Sequence, residues 1–152
     1  MHRIVFLDRD TIAPDVVVRR PDFSHDWIEY ARTTAEETYD RVKDATIVLV
    51  NKVNLREDLL ARLPKLKLIA VAATGYDCVD VAAAKARGIT VSNIRGYAKA
   101  TVPEHTFALM LAVARSIVPY RASVLAGRWQ EAAQFCYFDY PMAKGDMPEV
   151  NW

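Results

Sequence analysis

The stretch LIAVAATGYDCVDVAAAKARGITVS, residues 68–92, decides the fold of this chain of 152 residues. It opens with a short apolar run, Leu68–Ala72, whose length and composition are typical of a buried β-strand. The turn Thr74-Gly75 follows, and the alanine-rich segment 79–87 then has a helical pattern. A second short strand, Thr90–Ser92, completes a β-α-β unit, and such a unit predicts a parallel sheet.

The residues beside these elements predict where the helices begin and end. Asp77 is in the position of an N-cap for the helix at 79–87, and Asp80 falls in its first turn. Gly88 is suited to the left-handed conformation that commonly follows a helix. Earlier in the chain, Asn54 is predicted to cap a helix at Leu55–Leu63, which Pro64 would end.

The same alternation of short apolar runs and helical patterns occupies the first 95 residues. Five strands are predicted, at Ile4–Leu7, Trp27–Tyr30, Thr46–Val50, Leu68–Ala72 and Thr90–Ser92. Helices are predicted between them at 34–43, 55–63 and 79–87. The fold class predicted is therefore α/β, a flavodoxin-like, doubly wound, parallel five-stranded sheet.

The second part of the chain has a different pattern. Residues Val102–Val118 are apolar on every side, which predicts one long interdomain helix that is covered on every side. The aromatic segment Trp129–Tyr140 predicts an extended arm that lies on a partner surface. We therefore divide the chain into a domain at 1–98, an interdomain helix and dimerisation arm at 99–142, and a tail at 143–152.

Composition excludes several classes of protein. Apolar residues make up 52% and charged residues 26% of the chain, as in globular rather than disordered proteins. The net charge of +1, without a block of Lys and Arg, argues against a nucleic-acid partner. Two cysteines without metal-ligand spacing, and no apolar run long enough to cross a bilayer, lead us to expect a cytoplasmic protein.

Polar residues and a glycine turn follow the predicted strands at their carboxyl ends, where open α/β sheets bind ligands. Asn51-Lys52 follows the third strand, and Ala73-Thr74-Gly75-Tyr76 follows the fourth. A glycine turn can present backbone amides to a carboxylate, and Lys52 would supply charge nearby. From position alone, a plain tight turn and a solvated lysine are the alternative interpretation.

Three motifs carry a resemblance to a known family. Asn51-Lys52, TGYDCVD at 74–80 and VPEHT at 102–106 fall in register with the D-isomer-specific 2-hydroxyacid dehydrogenases, and the resemblance covers residues 1 to about 142. Members of that family reduce 2-oxo acids with a nicotinamide cofactor. The segment FCYFDYP at 135–141 resembles the hydroxypyruvate reductase or glycerate dehydrogenase branch.

The resemblance implies a role for each matching residue. Ala73, Thr74 and Gly75, with Tyr76 beside them, would donate backbone amides to the substrate carboxylate. Asn51 and Lys52 would lie alongside the substrate. The resemblance also implies a cofactor, NAD or NADP, with three residues on the nicotinamide side: Tyr97, Thr101 and Val102. It further implies a homodimer, and an exchange of arms between its subunits stays open.

The sequence also departs from the family. Its five glycines cannot form Gly-x-Gly-x-x-Gly, the fingerprint that holds the cofactor pyrophosphate. The family's catalytic arginine, glutamate and histidine have no counterpart among these residues, and His105 is interpreted as a packing or capping residue. We therefore assign no catalytic residue and no metal ligand. We expect a truncated chain that does not oxidise NADH or NADPH by itself, with a tail at 143–152 that diverges from the family.

Two other functions are weighed against this one. The run IVFLDRDTI, with Asp8 and Asp10, resembles the first motif of haloacid-dehalogenase-type phosphatases, in which paired aspartates act around Mg²⁺. One residue of that motif is missing before Thr11, so capping and loop roles for both aspartates are favoured. The other alternative is a module that binds a small carboxylate or supports assembly without catalysis.

Overall fold

The computed structural model describes residues 1–141, so the tail predicted at 143–152 lies outside the described residues. The chain divides into two compact units, with the boundary between Tyr97 and Ala98. The first unit contains a five-stranded, wholly parallel sheet with the strand order β2-β1-β3-β4-β5, which confirms the predicted parallel sheet. The strands are β1 at His2–Phe6, β2 at His25–Glu29, β3 at Ile47–Val50, β4 at Leu68–Val71 and β5 at Thr90–Asn93. The helices of this unit are α1 at Ala35–Val42, α2 at Glu57–Leu60 and α3 at Val81–Ala86.

The core lies on one face of the sheet. Alternate residues of the central strands point to the same side, so Val5, Val48 and Ile69 share that face and are fully buried. Helices α1, α2 and α3 cover it, with Val42 and Leu60 among the side chains that they contribute. Burying side chains of this size contributes roughly 1.5–3 kcal/mol each, so this layer supplies most of the stability of the unit.

The other face of the sheet differs from a doubly wound layer. Within residues 1–97 the connection from β1 to β2 contains only a 3-10 turn, Arg9–Thr11, and no α-helix. Ile4 and Phe6 are nevertheless buried on that face, whereas Ile47 and Leu49 of β3 are only partly buried. The strand order is therefore that of a doubly wound fold, while the described helices of the first unit form a single layer.

Two predicted helix starts are wrong, for one shared reason. Leu55 forms a parallel β-bridge with Val79, in which Leu55 N donates to Cys78 O at 2.8 Å and Asp80 N donates to Leu55 O at 2.9 Å. These bonds hold residues 55 and 79 extended, so α2 and α3 begin two residues later than predicted. Asn54 accordingly caps no helix, and its side-chain oxygen accepts a bond from Arg56 instead.

The N-cap of α3 is Asp80 and not the predicted Asp77. The carboxylate of Asp80 accepts a hydrogen bond from the backbone amide of Ala83 at 2.9 Å. The predicted left-handed Gly88 is confirmed, with a φ of 69°. A Cβ at this position would meet no atom within 4 Å, so the backbone conformation and not space favours glycine there.

The second unit consists of three helices and an irregular segment. They are α4 at Thr101–Ala114, α5 at Ile117–Leu125 and α6 at Arg128–Glu131. The single helix predicted over 102–118 is wrong, because the chain breaks at Arg115-Ser116, where Ser116 adopts a φ of 48°, and α5 continues at 61° to α4. Among residues 1–141 no single helix is long and apolar enough to cross a membrane, although the bent pair α4 and α5 reaches that length and composition together.

The aromatic segment, predicted as an extended arm on a partner surface, makes contacts within its own unit. Arg128 holds Asp139 through two contacts, of 2.7 and 3.2 Å, and its guanidinium lies 5.0 Å from the ring of Tyr137. Ser116 donates from its hydroxyl to Pro141 O, and the ring of Tyr120 packs edge-on against that of Tyr140. The segment 132–141 therefore folds back on α5 and α6 of its own unit.

Substitution of the two aspartates near α3 tests the assignment of its cap. Asp80→Ala removes the side-chain bond to an amide of the first helical turn, so we expect the free energy of unfolding to fall by about 1 kcal/mol. Asp77→Ala is the matched control, and we expect a change below about 0.5 kcal/mol. Urea denaturation of both variants provides the measurement, and a larger loss in Asp77→Ala would contradict the assignment.

Candidate functional site

The parallel strands bring three loops to one edge of the sheet. Asp8 follows β1, residues Asn51–Val53 follow β3, and residues Ala73–Asp77 follow β4. Since β1, β3 and β4 are neighbours in the sheet, the three loops are adjacent where open α/β sheets bind ligands. Four of the six residues that the sequence predicts for substrate binding are exposed there: Lys52, Thr74, Gly75 and Tyr76.

The carboxylate of Asp8 is the structural centre of this edge. Its side chain is 4% exposed, and its oxygens accept backbone N–H bonds from Asn51 at 3.0 and 3.1 Å, from Lys52 at 2.6 Å and from Val53 at 3.2 Å. Bonds of amides to a charged acceptor are stronger than neutral ones. The backbone of the loop after β3 is therefore fixed, and its three amides are occupied.

The loop after β3 is also tied to the loop after β4. The thiol of Cys78 donates to Asn51 O at 3.6 Å, and the β-bridge between Leu55 and Val79 joins the far ends of the two loops. Burial, and then the charge of Asp77, raises the pKa of the Cys78 thiol; Asp8 raises it further, while Lys52 lowers it. The charges of Asp8 and Lys52 are thus both close enough to act on the buried thiol of Cys78.

The turn after β4 leaves its amides available. Asn93 donates from its side-chain amide to Thr74 O at 2.8 Å, and Ile94 N donates to Ala73 O at 3.1 Å, so the carbonyls of the turn are held. In the part of the chain that the structure describes, the amides of Thr74–Asp77 donate to no protein acceptor. Consecutive free amides in an exposed turn are suited to binding an anion.

Gly75 allows this turn to stay compact. A Cβ on Gly75 would lie 3.2 Å from the carboxylate oxygen Oδ1 of Asp77, closer than ordinary contact. The absence of a side chain also leaves the amide at position 75 open to an approaching ligand. This geometry gives a physical reason for glycine at the position that the sequence identifies as a substrate contact.

Not all of the predicted residues line one cavity. A cavity of about 700 Å³ opens between the start of α1 and the loop after β3, and Lys52 and Asp8 line it together with Arg32 and Glu36. Residues Ala73–Tyr76 do not line it. The side-chain oxygen of Asn51 is buried and has no hydrogen-bond partner among the described residues. Such an atom is an unused hydrogen-bond acceptor in the loop after β3.

The predicted cofactor contacts lie on both sides of the chain boundary between the two units. Tyr97 is the last residue of the first unit and is 64% exposed. Thr101 and Val102 open α4, whose N-cap, Ala100, provides no side-chain bond. His105 lies on the same helix and is exposed among the described residues, so the packing or capping role expected for it stays a prediction.

Asp8 and Asp10, the two aspartates of the run IVFLDRDTI, lie in different environments. Both oxygens of Asp8 accept backbone bonds, which leaves this buried carboxylate committed to the loop. Asp10 is half exposed and lies 3.6 Å from Arg32. Within residues 1–141 no group of three His, Cys, Asp or Glu side chains could hold a metal ion. The loop role favoured by the sequence agrees with this geometry.

Sequence reasoning missed the partners of Asp8 and the role of Cys78. The available signal was a carboxylate directly after the apolar run IVFL, because a charged side chain beside a buried strand needs hydrogen-bond partners. The spacing of the residues could not show which amides it would bind.

A family model described as the D-isomer-specific 2-hydroxyacid dehydrogenase catalytic domain matches residues 11–135 of the chain. The chain belongs to this family. Glycerate dehydrogenase of Methylorubrum extorquens is 56% identical over 141 residues, which are 92% of this chain and 44% of that protein. A putative 2-hydroxyacid dehydrogenase of Haemophilus influenzae is 46% identical over 140 residues, again 92% of this chain and 44% of that protein.

Solved structures of this dehydrogenase family share the fold. The NADPH-dependent glyoxylate/hydroxypyruvate reductase of Sinorhizobium meliloti, determined with citrate, matches with a TM-score of 0.68 and 26% identity, over 94% of this chain and 43% of that one. The chain thus spans about half the length of the relatives that it matches. The family resemblance drawn from the motifs is therefore confirmed.

The environment of Cys78 predicts a slow and strongly pH-dependent reaction with iodoacetamide. Because its pKa is raised and the residue is 6% exposed, we expect its alkylation to keep accelerating above about pH 8.5, the ordinary thiol value. Peptide mapping by mass spectrometry measures this, and the more exposed Cys136 serves as the internal control. Equal alkylation of both cysteines in the native protein at pH 8 would contradict the prediction, whereas denaturant should remove the difference.

Proposed function

We propose that this chain is the substrate-binding portion of an NAD(P)-dependent D-2-hydroxyacid dehydrogenase. Its substrate would be a small 2-oxo acid such as hydroxypyruvate or glyoxylate, which is reduced to the D-2-hydroxy acid. The observation that carries the proposal is the turn after β4, whose amides Thr74–Asp77 are exposed and donate to no acceptor among the described residues. The names of the relatives support the choice of substrate class.

The carboxylate of the substrate would bind the amides of Thr74, Gly75 and Tyr76, beside Ala73. Lys52 adds a positive charge from the neighbouring loop; its side chain is exposed and forms no ion pair within residues 1–141. A charged donor strengthens binding of a carboxylate, and the fixed loop lowers the entropy lost on binding. Asn51 lies in the same loop, but its buried side-chain oxygen is an acceptor and cannot bind the carboxylate itself.

The cofactor would supply the hydride that reduces the substrate carbon. Tyr97, Thr101 and Val102 would form one side of the nicotinamide environment, and Tyr97 and Val102 are both exposed apolar surfaces suited to a ring. The pyrophosphate has no glycine-rich cradle in these 152 residues. We therefore propose that this chain alone binds the 2-oxo acid without oxidising NADH or NADPH.

Binding of hydroxypyruvate to the purified chain tests the proposed site. In amide NMR spectra we expect shifts at Thr74–Asp77, and we expect Lys52→Met to weaken binding about tenfold, through loss of one charged contact. The matched control is Lys67→Met, an exposed lysine before β4 at the opposite edge of the sheet, which should leave the affinity unchanged. Absence of shifts in the turn, or an equal loss in both variants, would contradict the proposal.

We further propose that the chain self-associates through α4 and α5. None of their apolar side chains is buried in the described residues, and Val113 is 80%, Val118 70% and Phe107 62% exposed. Burying each of them contributes roughly 1.5–3 kcal/mol to association, so packing of this surface against a second copy of the chain is favourable. Exchange of arms is less favoured than the sequence suggests, since the segment 132–141 is held by Arg128 and Tyr120 of its own unit.

A charge placed on this surface should separate the copies. Val113→Glu puts a carboxylate in the proposed interface, and we expect the dimer dissociation constant to rise at least about a hundredfold. Val17→Glu, at an equally exposed valine of the first unit, is the control and should leave the dimer intact. Sedimentation at micromolar concentration measures both, and a wild-type monomer would contradict the proposal.

A further inference from the structure

The loop after β3 is held by the carboxylate of Asp8, which no positively charged side chain pairs with among the described residues. Within residues 1–141, Asp8 forms no ion pair, and its carboxylate is balanced by the amides of Asn51, Lys52 and Val53. Three successive amides directed at one carboxylate require one backbone path. The conformation of this loop is therefore set by Asp8, a residue 43 to 45 positions earlier in the chain.

The backbone amides of the two loops differ in whether they are available to a ligand. The amides of residues 51–53 are saturated by Asp8, so they are closed to any ligand. Those of residues 74–77 have no acceptor in the described part of the chain and stay open. An external carboxylate at this edge can thus take its backbone amide bonds from the turn after β4, whereas the loop after β3 offers side-chain contacts, such as that of Lys52.

We propose that Asp8 is a positioning residue for ligand binding, which acts by holding the backbone from which Lys52 reaches the carboxylate of the 2-oxo acid. This inference rests on the proposed function. Asp8 itself is buried and does not touch the ligand; its effect passes through the bond to Lys52 N, the shortest of its set at 2.6 Å. The bond from Cys78 to Asn51 O keeps the same loop in contact with the turn after β4.

A double-mutant cycle separates positioning from a general effect on stability. Asp8→Asn keeps the shape and one acceptor oxygen but removes the charge, so we expect it to lower the affinity for hydroxypyruvate about tenfold. In the Lys52→Met background the same substitution should change the affinity less than about twofold, because the side chain that Asp8 positions is then gone. Asp10→Asn, a half-exposed carboxylate in the same loop, is the control and should leave the affinity unchanged.

Amide hydrogen exchange in the same variants gives a second readout. We expect Asp8→Asn, and not Asp10→Asn, to accelerate exchange at residues 51–53 at least about tenfold, while residues 74–77 exchange rapidly in all variants. If Asp8→Asn loses its near-ultraviolet circular dichroism, Asp8→Glu takes its place in the cycle, since it keeps the charge and displaces it by one methylene.

The outcomes distinguish this inference from the function on which it rests. No binding of hydroxypyruvate by the wild-type chain would overturn the proposed function and the role of Lys52, while exchange at residues 51–53 would still decide whether Asp8 fixes the loop. Equal losses of affinity in the wild-type and Lys52→Met backgrounds would overturn positioning through Lys52 alone. Unchanged exchange at residues 51–53 in the Asp8 variant would overturn the fixing of the loop.

Discussion

The register of the central strands is the constraint on which the site depends. Val5 of β1 pairs with Val48 of β3, and Val48 pairs with Ile69 of β4. Three residues beyond the first pair, the same register sets Asp8 opposite Asn51, where the strand ladder would have continued. Beyond the end of β3, the Asp8 carboxylate accepts hydrogen bonds from backbone amides that no longer have a strand carbonyl as acceptor. The chain after β3 therefore forms a fixed loop and not a frayed strand end.

This register is specified by burial. A shift of one residue would turn Val5, Val48 and Ile69, all fully buried, toward the other face, and it would move the alternate residues into the helical layer. The hydrophobic core therefore selects the partner of Asp8, although Asp8 is not part of it. Stability and the geometry of the binding edge arise from one set of contacts.

The sequence was sufficient to predict the parts of the fold that depend on local pattern. The five strands, Gly88 and the turn at Thr74-Gly75 follow from short apolar runs and from backbone chemistry, which neighbouring residues reveal. The helix starts were wrong because Leu55 bridges to Val79, a bond between residues far apart in sequence. For the same reason the capping role moved from Asp77 to Asp80, since α3 cannot begin until the bridge has ended.

The candidate site was predictable to a similar extent. Position at the carboxyl edge and family motifs predicted Lys52 and the turn at 73–76 as ligand contacts, but they did not predict the carboxylate that fixes the loop, because its three partners are distant in the chain. The hydrophobic pattern also did not predict the helix break at Ser116. Its left-handed backbone divides an apolar run into α4 and α5, and nothing in the apolar pattern of residues 102–118 marks that break.

The two units satisfy their polar groups in different ways, and this difference bears on function. In the first unit, the buried carboxylate of Asp8 is paired with backbone amides at the edge of the sheet, and the turn after β4 presents amides that donate to no acceptor among the described residues. In the second unit, the polar contacts of Arg128, Ser116 and Tyr120 hold the segment 132–141 in place, and the apolar side chains of α4 and α5 are left exposed. The free amides of the first unit are of the kind that a small anion accepts, whereas the exposed apolar side chains of the second unit are of the kind that a further protein surface covers. The two units therefore expose groups of different chemistry, which is the physical basis of the two proposals made for them.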